Sequence, residues 1–252
     1  MEMLYERTKL LTPVVSPYCP GCLHGLIMKI IAEIIEEMGI VDETIAILPV
    51  GCSAAGKKLL DMDLVCALHG RAPAVATGIV RCEPNKLVFT YQGDGDLAAI
   101  GLAEIISAAN RGENFVTVFV NNSTYGMTGG QMAPTTILGQ KTTTTPYGRD
   151  AKQEGFPMKM CELIATLEAP IFVARYALDV PVNVLKAKKS IRKAFELQRQ
   201  KKGFSFIELL SNCPTNWGLS PLQCTEYMRE HTMKIFPQRV FKDVTGGEMC
   251  GK

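Results

Sequence analysis

The chain has 252 residues, 47% hydrophobic and 21% charged, which is enough to bury the core of one large α/β domain and excludes a disordered polymer. Its 27 basic and 25 acidic residues leave a formal charge of +2, giving no electrostatic ground for a nucleic-acid partner. No apolar run reaches membrane-spanning length, because the candidate at residues 27–40 is interrupted by Lys29, Glu33, Glu36 and Glu37.

Residues 1–18 read as an irregular arm, with Pro13 and Pro17 blocking regular structure and no basic-then-apolar order of a signal peptide. Cys22 leads into a strong helix whose apolar set is Leu23, Leu26, Ile27, Ile30, Ile31, Ile34, Ile35 and Met38. Residues 45–50 form a strand ending at Gly51-Cys52-Ser53, and residues 64–68 a second ending at His69-Gly70-Arg71. A small-residue helix follows from Pro73 to about Arg81.

Residues 87–91 are a buried strand, after which Gly93-Asp94-Gly95-Asp96 lets the backbone turn sharply and approach a ligand. A helix over 97–110 leads to a β-branched and aromatic strand at 115–120, followed by Asn121-Asn122. In such a strand–helix–strand crossover, ligands bind beyond the carboxyl ends of the strands, where both Asp94 and Asn122 fall. Asp94 offers a hard anionic oxygen and Asn122, 28 positions on, a neutral amide oxygen. Magnesium takes a few such ligands and completes its shell with phosphate, so the pair describes a magnesium–diphosphate site. Backbone amides near Gly51-Cys52-Ser53 and Gly95-Asp96 are candidates to contact the diphosphate oxygens. His69 is a candidate for cofactor or substrate contact, or equally for a structural hydrogen bond.

Residues 123–156 are rich in Thr, Gly and Pro, and so long a stretch without regular structure points to a functional loop or interface. Strand–helix alternation resumes with a strand at 171–174, a helix at 182–198 and a strand at 204–210. The basic residues Lys186, Lys188, Lys189, Arg192, Lys193, Lys201 and Lys202 are read as a solvated helix face. The last strand runs into Ser211-Asn212-Cys213-Pro214, and the remainder to Lys252 reads as a helix and an irregular tail. The organisation expected is an arm (1–18), a single cofactor-binding domain (19–218) and a C-terminal helix and tail (219–252). The fold class is α/β: a doubly wound, mostly parallel sheet with helices on both faces.

Nine cysteines in a chain expected to be cytoplasmic argue for thiols or metal ligands over disulfides. Cys19-Pro20-Gly21-Cys22 lacks the preceding strand of a thioredoxin-like redox pair and the second CxxC of most structural zinc sites. Iron–sulfur clusters take four thiolates that need not cluster in sequence. Cys52 and Cys213 sit in turns at strand ends, beside the magnesium site. Cys66 in a strand and Cys161 in a helical pattern are expected to be buried structural thiols. Cys82 lies near a helix end, and Cys224 and Cys250 lack a Gly or Pro turn context. The preferred set is Cys19, Cys22, Cys52 and Cys213, holding a [4Fe–4S] cluster.

Together these segments resemble the thiamine-diphosphate-binding β subunit of 2-oxoacid:ferredoxin oxidoreductases. The match runs through residues 18–22, Gly51-Cys52-Ser53, His69-Gly70-Arg71, Gly93-Asp94-Gly95-Asp96, residues 121–131 and residues 211–215, in the family's order. The resemblance implies thiamine diphosphate with magnesium held by Asp94, Asn122 and the Thr124 carbonyl, and the four cysteines around the cluster nearest the thiazolium. It further implies oxidative decarboxylation of a 2-oxoacid, with coenzyme A taking the acyl group and ferredoxin the electrons. The glutamate that activates the aminopyrimidine would belong to an α subunit with its own pyrimidine-binding domain, so no catalytic residue is assigned in this chain. γ and ferredoxin-like δ subunits would complete the assembly.

Residues 127–136 resemble the branched-chain and 2-oxoglutarate members more than the pyruvate ones. Met127 and Met132 are candidates to line an apolar pocket, although methionine is more often simple core. 2-Oxoisovalerate ranks first, 2-oxoglutarate second, indolepyruvate or pyruvate behind. Two rivals lack part of the pattern: a non-redox thiamine lyase has no use for the four cysteines, and a non-catalytic iron–sulfur or zinc module has none for Asp94 and Asn122.

Overall fold

The computed structural model describes residues 6–246; the start of the arm and the end of the tail, Cys250 included, lie outside them. Among the described residues seven strands form one sheet: β1 Thr44–Leu48, β2 Asp63–Cys66, β3 Leu87–Gly93, β4 Val116–Asn121, β5 Phe172–Ala177, β6 Ser205–Leu210 and β7 Arg239–Asp243. Their order is β2-β1-β3-β4-β6-β5-β7, parallel throughout except for β7, which pairs antiparallel with β5.

The strands β4, β5 and β6 are buried at every position, as a sheet covered on both faces requires. The side-chain period of two divides them between two cores. Phe89, Tyr91, Val116, Val118 and Val120 pack with helices α1 (His24–Met38) and, beyond β5, the long helix Pro181–Arg199. Val88, Phe119, Val173 and Phe206 pack on the opposite side with α2 (Ala72–Cys82), α3 (Leu102–Asn110) and the short helix Met160–Ala165. In chain order, α4 is Ala151–Glu154, α5 is Met160–Ala165 and α6 is Pro181–Arg199. After β6 come α7 Pro214–Trp217, α8 Pro221–Tyr227, a π-helical turn Met228–Thr232 and α9 Met233–Ile235. The doubly wound sheet expected from sequence is present.

Several local expectations need correction. The helix expected at 97–110 is divided: a π-helical turn spans Gly95–Ile100, and α3 begins after Gly101. Gly101 packs on Gly70, whose carbonyl oxygen would lie 2.5 Å from any Cβ added there, so the backbone of the two turns fixes the break. The C-terminal segment is more than helix and tail, because β7 extends the sheet. The basic face of α6 is not simply solvated: Lys188 pairs with Glu33 and Glu37 of α1, Arg192 with Glu37, and Lys193 with Asp243 of β7. Cys66 is exposed, since β2 is an edge strand with little cover, whereas Cys161 is buried as expected. In the arm, Leu11 bridges to Leu60 and Leu10 is buried.

Topology fixes where a ligand can sit. From β1 the chain moves outward to β2, and from β3 it moves the other way to β4. Adjacent strands whose connections diverge leave a crevice at their carboxyl ends. The segments after β1 and β3 border it.

Candidate functional site

The crevice is lined by His24, Gly51, Cys52 and Ser53, by His69, by residues 93–96, and by Asn122, Thr124, Gly126 and Met127. Parallel pairing brings the ends of β1, β3, β4 and β6 to one edge, so segments distant in sequence meet there.

Asp94 follows β3 and caps the π-helical turn. Its Oδ1 accepts from the Gly95 amide at 2.9 Å and its Oδ2 from the Thr135 hydroxyl at 2.7 Å. It is 2% exposed, and no Lys or Arg among the described residues forms an ion pair with it. Burial therefore pushes its carboxyl up to about 6, against the Thr135 bond and the neighbouring amides that favour the charged form. A buried carboxylate without a protein cation suits a divalent ion. Asn122 stands at the end of β4, where its Oδ1 accepts from the Thr124 amide at 3.2 Å. Between them Ser123 adopts φ +59°, a left-handed conformation uncommon outside glycine.

Asp96 faces inward. Its Oδ1 accepts from the Gly70 amide at 2.7 Å and bonds His69 Nδ1, and its Oδ2 accepts from Gln92 Nε2 at 2.6 Å. This side chain orients His69, which lines the crevice, and so joins the ends of β2 and β3. The Gly95 amide is occupied by Asp94, and a Cβ at Gly95 would lie 2.2 Å from the Tyr125 ring. Its glycine is thus required by Tyr125. Gly93 has nothing within 4 Å of a hypothetical Cβ, and Gly51 (φ +117°) only the Ser53 hydroxyl, so ligands can approach the backbone at both.

The four sequence-selected thiols converge on the same edge. The position a Cβ would take at Gly126 lies 3.1 Å from Cys52 Sγ and 3.7 Å from Cys213 Sγ. Burial pushes Cys22 up to about 12, and the sulfurs of Cys213, Cys52 and Cys19 act in the same direction. Cys52 is pushed up to about 11 by burial, then by Cys213 and Cys19. The Cys19–Cys22 loop is fixed by Asn212, whose Nδ2 donates to the Gly21 carbonyl at 3.1 Å and whose Oδ1 accepts from the Leu23 amide at 3.3 Å. Asn216 Nδ2 bonds Cys213 Sγ at 3.1 Å. Cys224, buried on α8, is also raised by burial and by Cys213.

Among the described residues no three His, Cys, Asp or Glu side chains close around a single metal ion. Magnesium needs only one or two carboxylates, and a cluster spreads its thiolates over several irons, so neither demands such a knot. The buried Tyr18 hydroxyl has no protein partner and lies near the Cys22 and Cys52 sulfurs. A donor left over beside thiols fits a sulfur-rich ligand.

Sequence reasoning missed His24, Thr135 and Tyr125. His24 is 1% exposed, stacks on Tyr18 at 5.1 Å and bonds the Tyr91 hydroxyl through Nδ1. Its signal was available: a polar residue on the same stripe as Ile27, Met28 and Ile31. Thr135 is brought to Asp94 by a long loop and carries no local signal. That loop is organised by Arg149, which donates to the carbonyls of Pro134, Thr136, Glu154, Gly155 and Phe156 at 2.6–3.0 Å.

Residues 49–209 match the family described as thiamine pyrophosphate enzyme, C-terminal TPP binding domain, the class that this sheet edge and crevice define. Ketoisovalerate oxidoreductase subunit VorA of Methanothermobacter marburgensis is 47% identical over 243 residues, covering 96% of this chain and 51% of that protein. 2-Oxoglutarate synthase subunit KorB of Methanocaldococcus jannaschii is 36% identical over 241 residues, covering 93% and 84%. The solved 2-oxoglutarate:ferredoxin oxidoreductase from Magnetococcus marinus, with 2-oxoglutarate, coenzyme A and succinyl-CoA bound, superposes with a TM-score of 0.81 at 26% identity, covering 98% of this chain and 87% of that one. The chain belongs to the thiamine-pyrophosphate-binding subunits of the 2-oxoacid:ferredoxin oxidoreductases. It spans about half the length of the VorA relatives that it matches.

Proposed function

We propose that this chain is the β subunit of a cytoplasmic 2-oxoacid:ferredoxin oxidoreductase, working with an α subunit that brings the pyrimidine-binding domain and with γ and ferredoxin-like δ subunits. The reaction is decarboxylation of a 2-oxoacid to acyl-coenzyme A and CO2, with electrons leaving to ferredoxin. The observation that carries this reading is the meeting of Asp94 and Asn122 with Cys19, Cys22, Cys52 and Cys213 at one sheet edge. A non-redox lyase has no use for the thiols, and an electron-transfer module none for the buried carboxylate.

Asp94, Asn122 and the Thr124 carbonyl would hold magnesium, with Thr135 keeping Asp94 oriented and ionised. The open backbone at Gly51 and Gly93, with Cys52 and Ser53, would receive the diphosphate. Cys19, Cys22, Cys52 and Cys213 would hold the [4Fe–4S] cluster. When bound, thiamine diphosphate supplies the electron sink for loss of CO2, and the cluster a one-electron acceptor beside it. His69, held by Asp96, and the buried neutral His24 line the same crevice.

The acyl group favoured is that of 2-oxoisovalerate. The crevice lining contains no Lys or Arg to meet a second carboxylate, and Val50 and Met127 are half-exposed at its mouth. 2-Oxoglutarate is the second reading, supported by the KorB relatives and the Magnetococcus enzyme. The test is viologen reduction by the co-expressed assembly with each 2-oxoacid in turn. A preference for 2-oxoglutarate by tenfold or more in kcat/KM would overturn the apolar choice. Turnover by the chain alone would overturn the split site.

A further inference from the structure

Two fully buried charges lie behind the metal turn. Arg175 of β5 and Glu208 of β6 are direct cross-strand neighbours, both 0% exposed, with Arg175 Nε donating to Glu208 Oε2 at 2.8 Å. The other end of the guanidinium donates to Glu162 at 2.6 and 3.1 Å, and its Cζ lies 5.3 Å from the Phe236 and 4.8 Å from the Phe241 ring centroids. A buried pair of this kind seldom stabilises more than well-packed apolar residues would, so its presence calls for another role.

Glu208 Oε1 has its own partner: it accepts from Asn121 Nδ2 at 2.8 Å. An ionised carboxylate only accepts, so Asn121 must turn its nitrogen toward Glu208 and its oxygen the other way. That oxygen accepts from the Ser123 amide at 3.2 Å, on the residue held at φ +59°. The Ser123 carbonyl in turn accepts from the Thr136 hydroxyl at 2.7 Å.

We propose that the Arg175–Glu208 pair is a positioning device for the metal ligands: through Asn121 it fixes the Ser123 turn that aims the Asn122 side chain and the Thr124 carbonyl into the crevice. The inference rests on the reading of Asn122 and Thr124 as magnesium ligands. Partners of metal ligands set orientation, and their loss typically weakens metal binding about 10- to 100-fold.

The experiment uses the full chain co-purified with its partner subunits and measures the magnesium concentration that retains half of the thiamine diphosphate after dialysis. Asn121→Ala leaves the ion pair intact and raises that concentration about tenfold or more. Adding Ser123→Gly restores most of it, because glycine adopts the left-handed turn unaided. Glu208→Gln shows the same loss with an unchanged far-ultraviolet circular dichroism spectrum. If Glu208→Gln fails to fold, Glu208→Asp replaces it, since the shorter side chain keeps the charge and draws the acceptor away from Asn121 Nδ2. A folded Glu208 or Asn121→Ala variant with the wild-type magnesium requirement overturns the proposal, and so does a double variant that recovers nothing. The underlying reading fails separately, when Asp94→Ala retains the cofactor as well as the wild type does.

Discussion

The Thr135 hydroxyl donates to Asp94 Oδ2 at 2.7 Å, joining the long Thr-rich loop to the end of β3 across 41 positions. A hydrogen bond to a charged group contributes about 1.5–3 kcal/mol, and this one favours the ionised carboxyl against its burial. Thr135→Val should therefore weaken magnesium-dependent retention of thiamine diphosphate by about tenfold or more. Thr135→Ser, which keeps the donor, should stay near the wild type. Equal retention by both variants in equilibrium dialysis would show that the bond does not serve the site.

Asp94→Ala should abolish magnesium-dependent cofactor retention, since the other carboxylate lining the crevice among the described residues, Asp96, has both oxygens held by Gly70, His69 and Gln92. In the wild type, the proton and the cation compete for Asp94, whose carboxyl is raised to about 6 by burial. The magnesium requirement should be flat above that pH and rise by up to about tenfold per unit below it. A flat requirement down to pH 5 contradicts the assignment.

Cys213→Ser should strip iron from the anaerobically purified assembly, whereas Cys66→Ser and Cys161→Ser should leave iron content near normal. The first thiol faces Cys52 beside Gly126, the second is exposed at the end of β2, and the third donates to the Ala174 carbonyl at 3.5 Å. Iron analysis decides it, and loss on changing Cys224 with none on changing Cys213 would transfer the role to Cys224.

Burial lowers His24 to about 4, below its ordinary value of about 6.5. Above 6.5 the ring is neutral folded or unfolded, and its contribution to stability is complete. As pH falls from 6.5 toward 4, only the unfolded chain takes the proton, and stability drops by up to about 1.4 kcal/mol per unit. His24→Phe should lower stability overall, because the Tyr91 hydroxyl loses its partner, yet flatten the slope between pH 6.5 and 4. Denaturant titrations across that range measure it, and an unchanged slope excludes His24 as the source.

The meeting of Asp94 and Asn122 at one edge was legible because strand polarity is written locally: each apolar run ends at a residue with a polar side-chain oxygen, and parallel order brings those ends together. The thiols were sorted by the same rule. It failed at Cys66, whose exposure depends on β2 lying at the sheet edge, and edge position is a property of strand order that no local pattern encodes. Arg175 shows another limit. A strand reading that stops at Ala174 treats the charge as a terminus, while the partner that makes it a buried residue, Glu208, lies 33 positions away. Thr135 and Arg149 were invisible for the same reason, since a loop's internal bonds have no periodicity. His24 was visible on the apolar stripe of α1 and was passed over because its neighbours already explained the helix.

The strand order also sets a timetable for synthesis. β5 lies between β6 and β7, both made after it, so when β5 leaves the ribosome neither of its eventual neighbours yet exists. The gap between β4 and β5 closes only when β6 enters it, and Cys213 follows three residues after that strand. Cys19, Cys22 and Cys52 are thus translated long before Cys213, the fourth of the proposed cluster ligands. From the end of β5 to the start of β6 that apolar strand has no neighbour, and on the proposed assignment iron delivered before Cys213 is made meets three of its four ligands.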